Sequence, residues 1–409
     1  MSRIVLGVGG GVAAYKAALL LRAFTEAGHD VRVVPTAGAL RFVGAATFEA
    51  LSGNPVTTEV WDDVPEVAHV RIGQEADLVV VAPATADLLA RAAMGRADDL
   101  LTATLLTAHC PVVFVPAMHT EMWLHPATQD NVATLRRRGS LVLPPAVGRL
   151  TGPDSGPGRL PEPGDVAALA GVVLTEGAGA LTADLTGRRV LVSAGGTREP
   201  IDPVRFLGNR SSGRQGWALA RVAAARGAEV VLVAANVDLA PPFGVRTVRV
   251  GTAEELRAAM HAEAPAADVV VMAAAVADFR PGEVAGAKLK KGSSGEPTAV
   301  GLVRNPDVLV ELVAARRPGQ VVVGFAAETG DAEGDVLTHA RAKLARKGVD
   351  LLVVNDVSGD RVFGRDDNAL TLLTPGGGVT EVPPGRKDAV AAGFWHGVRP
   401  LLTADPRAG

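Results

Sequence analysis

The chain has 409 residues, enough for two domains, and its 48% hydrophobic content gives each a core to bury. A net charge of −3 excludes bulk attraction to nucleic acid or anionic membrane, and 4% aromatic residues argue against a stacking platform for single strands. The single cysteine, Cys110, excludes a disulfide framework and cysteine-built zinc sites, and suits a reducing cytoplasm. In chain order, the N-terminus runs directly into a strand-like IVLGV without a secretory pattern. No uncharged apolar run reaches the roughly 18 residues of a membrane span.

Residues 3–36, RIVLGVGGGVAAYKAALLLRAFTEAGHDVRVVPT, read as an apolar strand, a glycine-rich turn, an amphipathic helix and a second apolar strand. Further buried strands are expected at 76–84 and 111–117. The Gly/Pro-rich stretch 144–165 is expected to form no regular element and to act as a long loop or flap. Small polar residues at 175–187 read as a linker, giving domains 1–180 and 181–409. The opening theme then recurs at 188–196, and after an insertion at 213–235, followed by strands at 267–275, 320–328 and 349–356. Strands that are apolar throughout and alternate with helices imply parallel sheets covered on both faces. The fold class is α/β: two doubly wound, Rossmann-like domains with mainly parallel sheets.

In the first half, Gly7, Gly9, Gly10 and Gly11 can cradle one phosphate. Thr36 stands where a dinucleotide site would place a ribose-binding acid, so a mononucleotide such as FMN fits better than NAD. In VPAMHTEMWLHP (115–126), His119, Glu121 and His125 lack the helical i, i+4 histidine pair of zinc proteases, and no metal is expected there.

In the second half, AGGTREPIDPVRFLGNRSSGRQG (194–216) places two glycines at a strand's carboxyl end, either as a tight turn or as a close approach to a ligand. Arg198, Arg205, Asn209 and Arg210 crowd the same insertion and point to an anionic substrate. Asp278 and Arg280 follow the next strand, and Lys288, Lys290 and Lys291 come after them, either as solvated surface or as neutralisers of a triphosphate. Lys343 and Lys347 share one helix face, as an exposed pair would also do. No P-loop motif is present.

These stretches, with KLKK, NPDVL, GFAAET and NDV in order, resemble phosphopantothenate–cysteine ligase from 188 to about 402. The resemblance implies that the carboxylate of 4′-phosphopantothenate attacks CTP to give an acyl-cytidylate, from which the cysteine amine displaces CMP, with Mg²⁺ accompanying the triphosphate. It assigns Asn209 to the acyl-cytidylate and Lys288 to the phosphates. It puts Met272, Ala273, Ala274 and Asp278 on the cytosine and ribose side. Arg205, Pro306, Asp307, Val308, Leu309, Phe325, Lys343 and Lys347 are expected to complete the substrate site.

The glycine loop, FVGAATFEALSGNPV (42–56), residues 67–106 and PAMHTEMW resemble the flavin-dependent cysteine decarboxylases, specifically phosphopantothenoylcysteine decarboxylase. Fused ahead of the ligase, this half makes the chain similar to the bifunctional coenzyme A enzymes of bacteria. In that family FMN oxidises the substrate thiol, the thioaldehyde loses CO₂, and reduced flavin returns the electrons. His69 matches the catalytic histidine. Gly9, Gly10, Thr36, Pro83, Ala84, Thr85, Asp98 and Met118 are implied FMN neighbours. Three positions depart from the general pattern. Gly9 replaces a hydroxyl residue, His119 replaces an asparagine that orients the substrate carboxylate, and Gly152 stands near the flap cysteine. Such departures fit either the actinobacterial variant of the enzyme or a flavin-binding scaffold beside an active ligase. A nicotinamide oxidoreductase and a flavin-binding regulatory subunit are the alternatives of other classes. The resemblance also implies a cytoplasmic homo-oligomer, with trimeric flavin halves, FMN between protomers, and dimeric ligase halves built into a dodecamer.

Overall fold

Uninterrupted apolar runs become the inner parallel strands of both halves. The computed structural model describes residues 1–58, 67–150, 154–289, 299–328, 335–356 and 367–403. It divides into two units, Met1–Asp184 and Leu185–Gly409.

The first unit holds five parallel strands: β1 (Arg3–Val8), β2 (Asp30–Pro35), β3 (Leu78–Ala84), β4 (Val112–Pro116) and β5 (Leu141–Val142). Their order is β2-β1-β3-β4-β5. β3 is buried along its whole length, as a central strand covered on both faces must be. The covering helices are α1 (Tyr15–Glu26), α2 (Ala45–Ser52), α3 (Ala68–Glu75), α4 (Ala86–Met94), α5 (Leu100–Thr107), α6 (Thr120–Leu124), α7 (Pro126–Arg137) and α8 (Pro163–Glu176). Leu88, Leu101, Phe114 and Val132 fill the space between sheet and helices. Helix ends follow local chemistry. Thr85 caps α4, accepting from the Leu88 N–H at 3.3 Å, and Asp99 with Thr102 forms a capping box on α5.

The expectation of no regular element at 144–165 is corrected. An antiparallel ribbon forms there, β6 (Ala146–Arg149) with β7 (Ser155–Arg159), and α8 starts at Pro163. Small residues conceal the ribbon from a pattern search, because Gly148, Gly156 and Gly158 supply no alternation.

The second unit carries β8 (Arg189–Gly195), β9 (Arg198–Pro200), β10 (Phe206–Gly208), β11 (Glu229–Ala235), β12 (Val245–Val250), β13 (Val269–Met272), β14 (Phe279–Pro281), β15 (Leu302–Arg304), β16 (Val321–Glu328), β17 (Leu351–Asp356), β18 (Asp367–Leu373) and β19 (Val379–Arg386). The main sheet runs β12-β11-β8-β13-β16-β17-β18-β19, parallel through β17 and antiparallel beyond it. Numbered by themselves, the six parallel strands follow the 3-2-1-4-5-6 order of nucleotide-binding sheets. Its helices are α9 (Arg214–Ala225), α10 (Ala253–Glu263), α11 (Val308–Ala314), α12 (Val336–Lys347) and α13 (Lys387–Thr403). Both units are therefore doubly wound α/β folds. Among the described residues no helix is long and apolar enough to cross a membrane.

Candidate functional site

In an open parallel sheet, ligands bind beyond the carboxyl ends of the strands, where the strand order reverses. In the first unit that point lies between β1 and β3. The loops there enclose a cavity of about 820 Å³. Gly10, Thr36, Pro83, Thr85, Met118 and His119 all line it. The Thr36 side chain is buried, and its hydroxyl donates to the Val8 carbonyl at 3.3 Å and accepts from the Ala39 N–H at 3.2 Å, fixing the turn after β2.

Other expected neighbours lie elsewhere. Gly9 does not line the cavity. It packs the loop against the end of β3, where its N–H meets the Pro83 carbonyl at 3.0 Å and an added Cβ would lie 2.5 Å from that oxygen. Ala84 is buried in the core. Asp98 pairs with Arg91 at 3.0 Å and Arg96 at 2.8 Å, outside the lining. His69 is on α3 and does not line the cavity; its Nδ1 is buried and lacks a hydrogen-bond partner among the described residues. Gly152 lies outside the described residues.

His119 precedes α6, whereas the Nδ1 of His125 accepts from the Ala127 N–H at 3.2 Å and caps α7. The two histidines of VPAMHTEMWLHP therefore serve different ends. The ribbon is tied to this segment: the Met118 N–H donates to the Gly158 carbonyl at 2.9 Å. Cys110 is partly buried beside β4, and burial pushes its thiol up.

Sequence reasoning missed the charged part of the wall: Lys16, Asp87, Arg91, Asp99, Arg149 and Arg159. Lys16 is buried and donates to Glu162 at 3.0 Å and to the Leu160 carbonyl at 3.3 Å. Arg159 binds the same Glu162, so two cations share one carboxylate behind the ribbon. The only available signal was that GVAAYK puts a lysine in the first turn of α1.

In the second unit the order reverses between β8 and β13. Two buried hydroxyls stitch this point together. Ser193 Oγ donates to Met272 Sδ at 3.5 Å and accepts from the Ala274 N–H at 3.1 Å. Thr197 Oγ1 accepts from the Ala277 N–H at 2.9 Å. Asn209 reaches the same segment, donating from Nδ2 to the Val276 carbonyl at 3.1 Å. Gly196 allows this approach, since a Cβ there would lie 2.8 Å from the Asn209 carbonyl oxygen. Met272, Ala273, Ala274 and Asn209 thus meet at the reversal. Asp278 is exposed one step further on, and its carbonyl accepts from the Asn305 N–H at 2.9 Å.

Residues 306–309 open α11. Asp307 caps it, accepting from the Val310 N–H at 3.3 Å, and forms an ion pair with Lys347 of α12. Pro306 is partly exposed, whereas Val308 is core and Leu309 packs on the core. Lys343 lies one turn before Lys347 on α12. Phe325 packs against Phe394, ring centroids 6.0 Å apart. Arg205 is engaged by Asp202 and the Leu289 carbonyl. Lys288 is exposed, while Lys290 and Lys291 lie outside the described residues. Among the described residues no group of three or more His, Cys, Asp or Glu side chains could hold a metal ion.

Comparison with known proteins matches residues 1–172 to the Flavoprotein family and 185–401 to the DNA/pantothenate metabolism flavoprotein C-terminal domain. Over 395 residues, 95% of each chain, the sequence is 66% identical to the coenzyme A biosynthesis bifunctional protein CoaBC of Mycolicibacterium smegmatis. It is 64% identical to the protein of that name from Mycobacterium tuberculosis, over 95% of this chain and 94% of the relative. The protein of that name from Vibrio parahaemolyticus is 43% identical over 92% of each. A crystal structure of the C-terminal domain of a CoaBC is 36% identical, covering 55% of this chain and 100% of that one with a TM-score of 0.46.

Proposed function

This chain belongs to the coenzyme A biosynthesis bifunctional protein family, and from that premise we propose how its two units divide the work. It is a bifunctional enzyme that joins a flavoprotein decarboxylase unit to a phosphopantothenate–cysteine ligase unit. The first unit binds FMN in the cavity at the β1/β3 reversal. The residues fit the group. The volume lies in the roughly 300–1,000 Å³ range of cofactor sites. Gly10 and Gly11 line the cavity together with Thr85 and Ala86 at the N-terminus of α4, which suits a phosphate. Met118 lines the same cavity and would hold the group there.

When bound, FMN supplies the two-electron oxidation of the substrate thiol that makes loss of CO₂ easy. The chain's own residues bind and orient. His119, on the strand-end segment held by Gly158, donates a hydrogen bond to the substrate carboxylate. The arginines of the ribbon keep that wall positive. His69 comes from a neighbouring protomer in a trimer, which accounts for its place away from the cavity of its own chain. The exposed Val12, Tyr15 and Leu19 give such an assembly apolar surface.

In the second unit, Asn209 and the β13 tip hold CTP and the acyl-cytidylate formed from 4′-phosphopantothenate, and Lys288 stabilises charge on the phosphates. Lys343, Lys347 and the α11 N-terminus complete the triphosphate site. Mg²⁺ would ride on the nucleotide, as it commonly does with phosphates.

The observation that carries the flavin assignment is the cavity itself, lined by Gly10 and Gly11 as well as by Met118 and His119. The test follows both reactions in one protein. A yellow preparation insensitive to NADPH should release CO₂ from 4′-phosphopantothenoylcysteine, and should release pyrophosphate from CTP with cysteine and 4′-phosphopantothenate. His69→Ala should sharply lower only the first reaction, and Asn209→Ala or Lys288→Ala only the second. Loss of both from one substitution, with folding and assembly intact, would overturn the division.

A further inference from the structure

The turn between β9 and β10 carries a carboxylate with no path to a ligand. The Asp202 side chain is 0% exposed. Its Oδ1 accepts from the Val204 and Arg205 N–H groups, both at 2.8 Å, as an ordinary Asx turn would. Its Oδ2 does more. It accepts from Arg205 Nε at 3.0 Å and Nη2 at 2.6 Å, and from the Leu289 N–H at 3.1 Å. Arg205 Nη2 also donates to the Leu289 carbonyl at 2.9 Å. Both main-chain groups of Leu289 are therefore held by the Asp202–Arg205 pair. Further back, the Ala285 N–H donates to the Ile201 carbonyl at 3.0 Å. Lys288 lies between these two anchors, exposed, on a segment with no regular structure of its own.

We propose that Asp202, acting through Arg205 and Leu289, is the positioning residue that aims Lys288 during the ligase reaction. Fixing the lysine's backbone in advance removes conformational entropy that would otherwise be lost when the side chain meets the phosphates. A carboxylate suits the task because every group around Oδ2 is a donor. Asparagine would turn its own N–H₂ toward Arg205 and Leu289 or give up the Asx turn. This deepens, and rests on, the reading of Lys288 as the group that acts on the phosphates.

The test is a double-mutant cycle in the full-length protein, measuring pyrophosphate release with cysteine, CTP and 4′-phosphopantothenate. Asp202→Asn should lower kcat roughly ten- to a hundredfold, the scale of a misplaced catalytic group. KM for CTP should stay within about threefold, as expected when the lost interaction is made mainly in the transition state. In a Lys288→Ala background the same substitution should have no further effect. Equal fractional losses in the two backgrounds would overturn the proposal, because Asp202 would then act apart from Lys288. Wild-type ligation by Lys288→Ala alone would sink the parent reading and the proposal with it, and that single variant tells the two failures apart. Should Asp202→Asn fail to fold, Arg205→Lys takes its place. It keeps a cation beside Asp202 but lacks the fork that reaches the Leu289 carbonyl, and additivity with Lys288→Ala would overturn the proposal equally.

Discussion

An L side chain at Gly158 would need space already held by the Met118 carbonyl, 2.2 Å from the ideal Cβ, with φ at +145°. Gly158→Ala should therefore pry the ribbon from the Met118–His119 segment, at a cost of about 1–3 kcal/mol. Flavin content should persist while CO₂ release falls by at least tenfold; unchanged rate and unfolding midpoint would refute this placement of the ribbon. At His119, restoring the asparagine of the wider family should keep most of the rate, whereas His119→Ala should lose about a hundredfold, the range for one positioned polar group at a reacting centre. Equal losses in both variants would show that His119 does not orient the carboxylate. Asp202 gives a pH prediction. The Arg205 guanidinium, with the N–H groups of Val204, Arg205 and Leu289, holds its carboxyl well below the usual range against the opposing effect of burial. A depressed folded value contributes stability that is present above the unfolded value near roughly 3.9 and lost as pH falls through the folded one. The gap in unfolding midpoint between the protein and Asp202→Asn should be constant at neutral pH and shrink in strong acid. A gap that widened there would reverse the sign.

At the scale of elements, the α4–α5 junction gathers three carboxylates on one arginine: Arg91 reaches Asp87 at 3.0 Å, Asp98 at 3.0 Å and Asp99 at 2.7 Å. Asp87 and Asp99 line the cavity. Arg91→Ala should leave their charge facing an anionic cofactor, weakening FMN by about 1–3 kcal/mol. A fluorescence titration would read this, and raised salt should recover part of the loss. An unchanged affinity would place the phosphate elsewhere. The elements themselves were largely legible, because central parallel strands carry unbroken apolar runs, such as 78–84 and 321–327. What was hidden is three-dimensional. Nothing in the local sequence says that β13 inserts between β8 and β16, or that Gly9 supports the loop while Gly10 faces the cavity. The lining arginines Arg149 and Arg159 come from a ribbon whose glycines give no periodic signal. That Arg205 is braced by a buried carboxylate, Asp202, could be seen only in the fold. His119 and Met118, by contrast, were singled out by the resemblance to the cysteine decarboxylases, and they lie in a short segment straight after a strand end where both line the cavity.

For the whole molecule, two units with separate cores predict two separable stability responses. A ligand at about a hundred times its Kd stabilises the state that binds it by about 2.7 kcal/mol. FMN should raise one calorimetric transition and CTP the other. If either ligand moved both transitions equally, the units would be energetically one body. The sheet edges carry a further consequence. The second unit's sheet ends at β12, whose exposed edge residues include Arg246 and Arg249, and at β19, which contains Pro383 and Pro384 in succession. In the first unit, β5 is only two residues long. Charge, missing N–H groups and brevity each deny an incoming strand a continuous ladder. These sheets are closed to growth at those margins, so a concentrated solution of the folded chain has no template there for fibre formation.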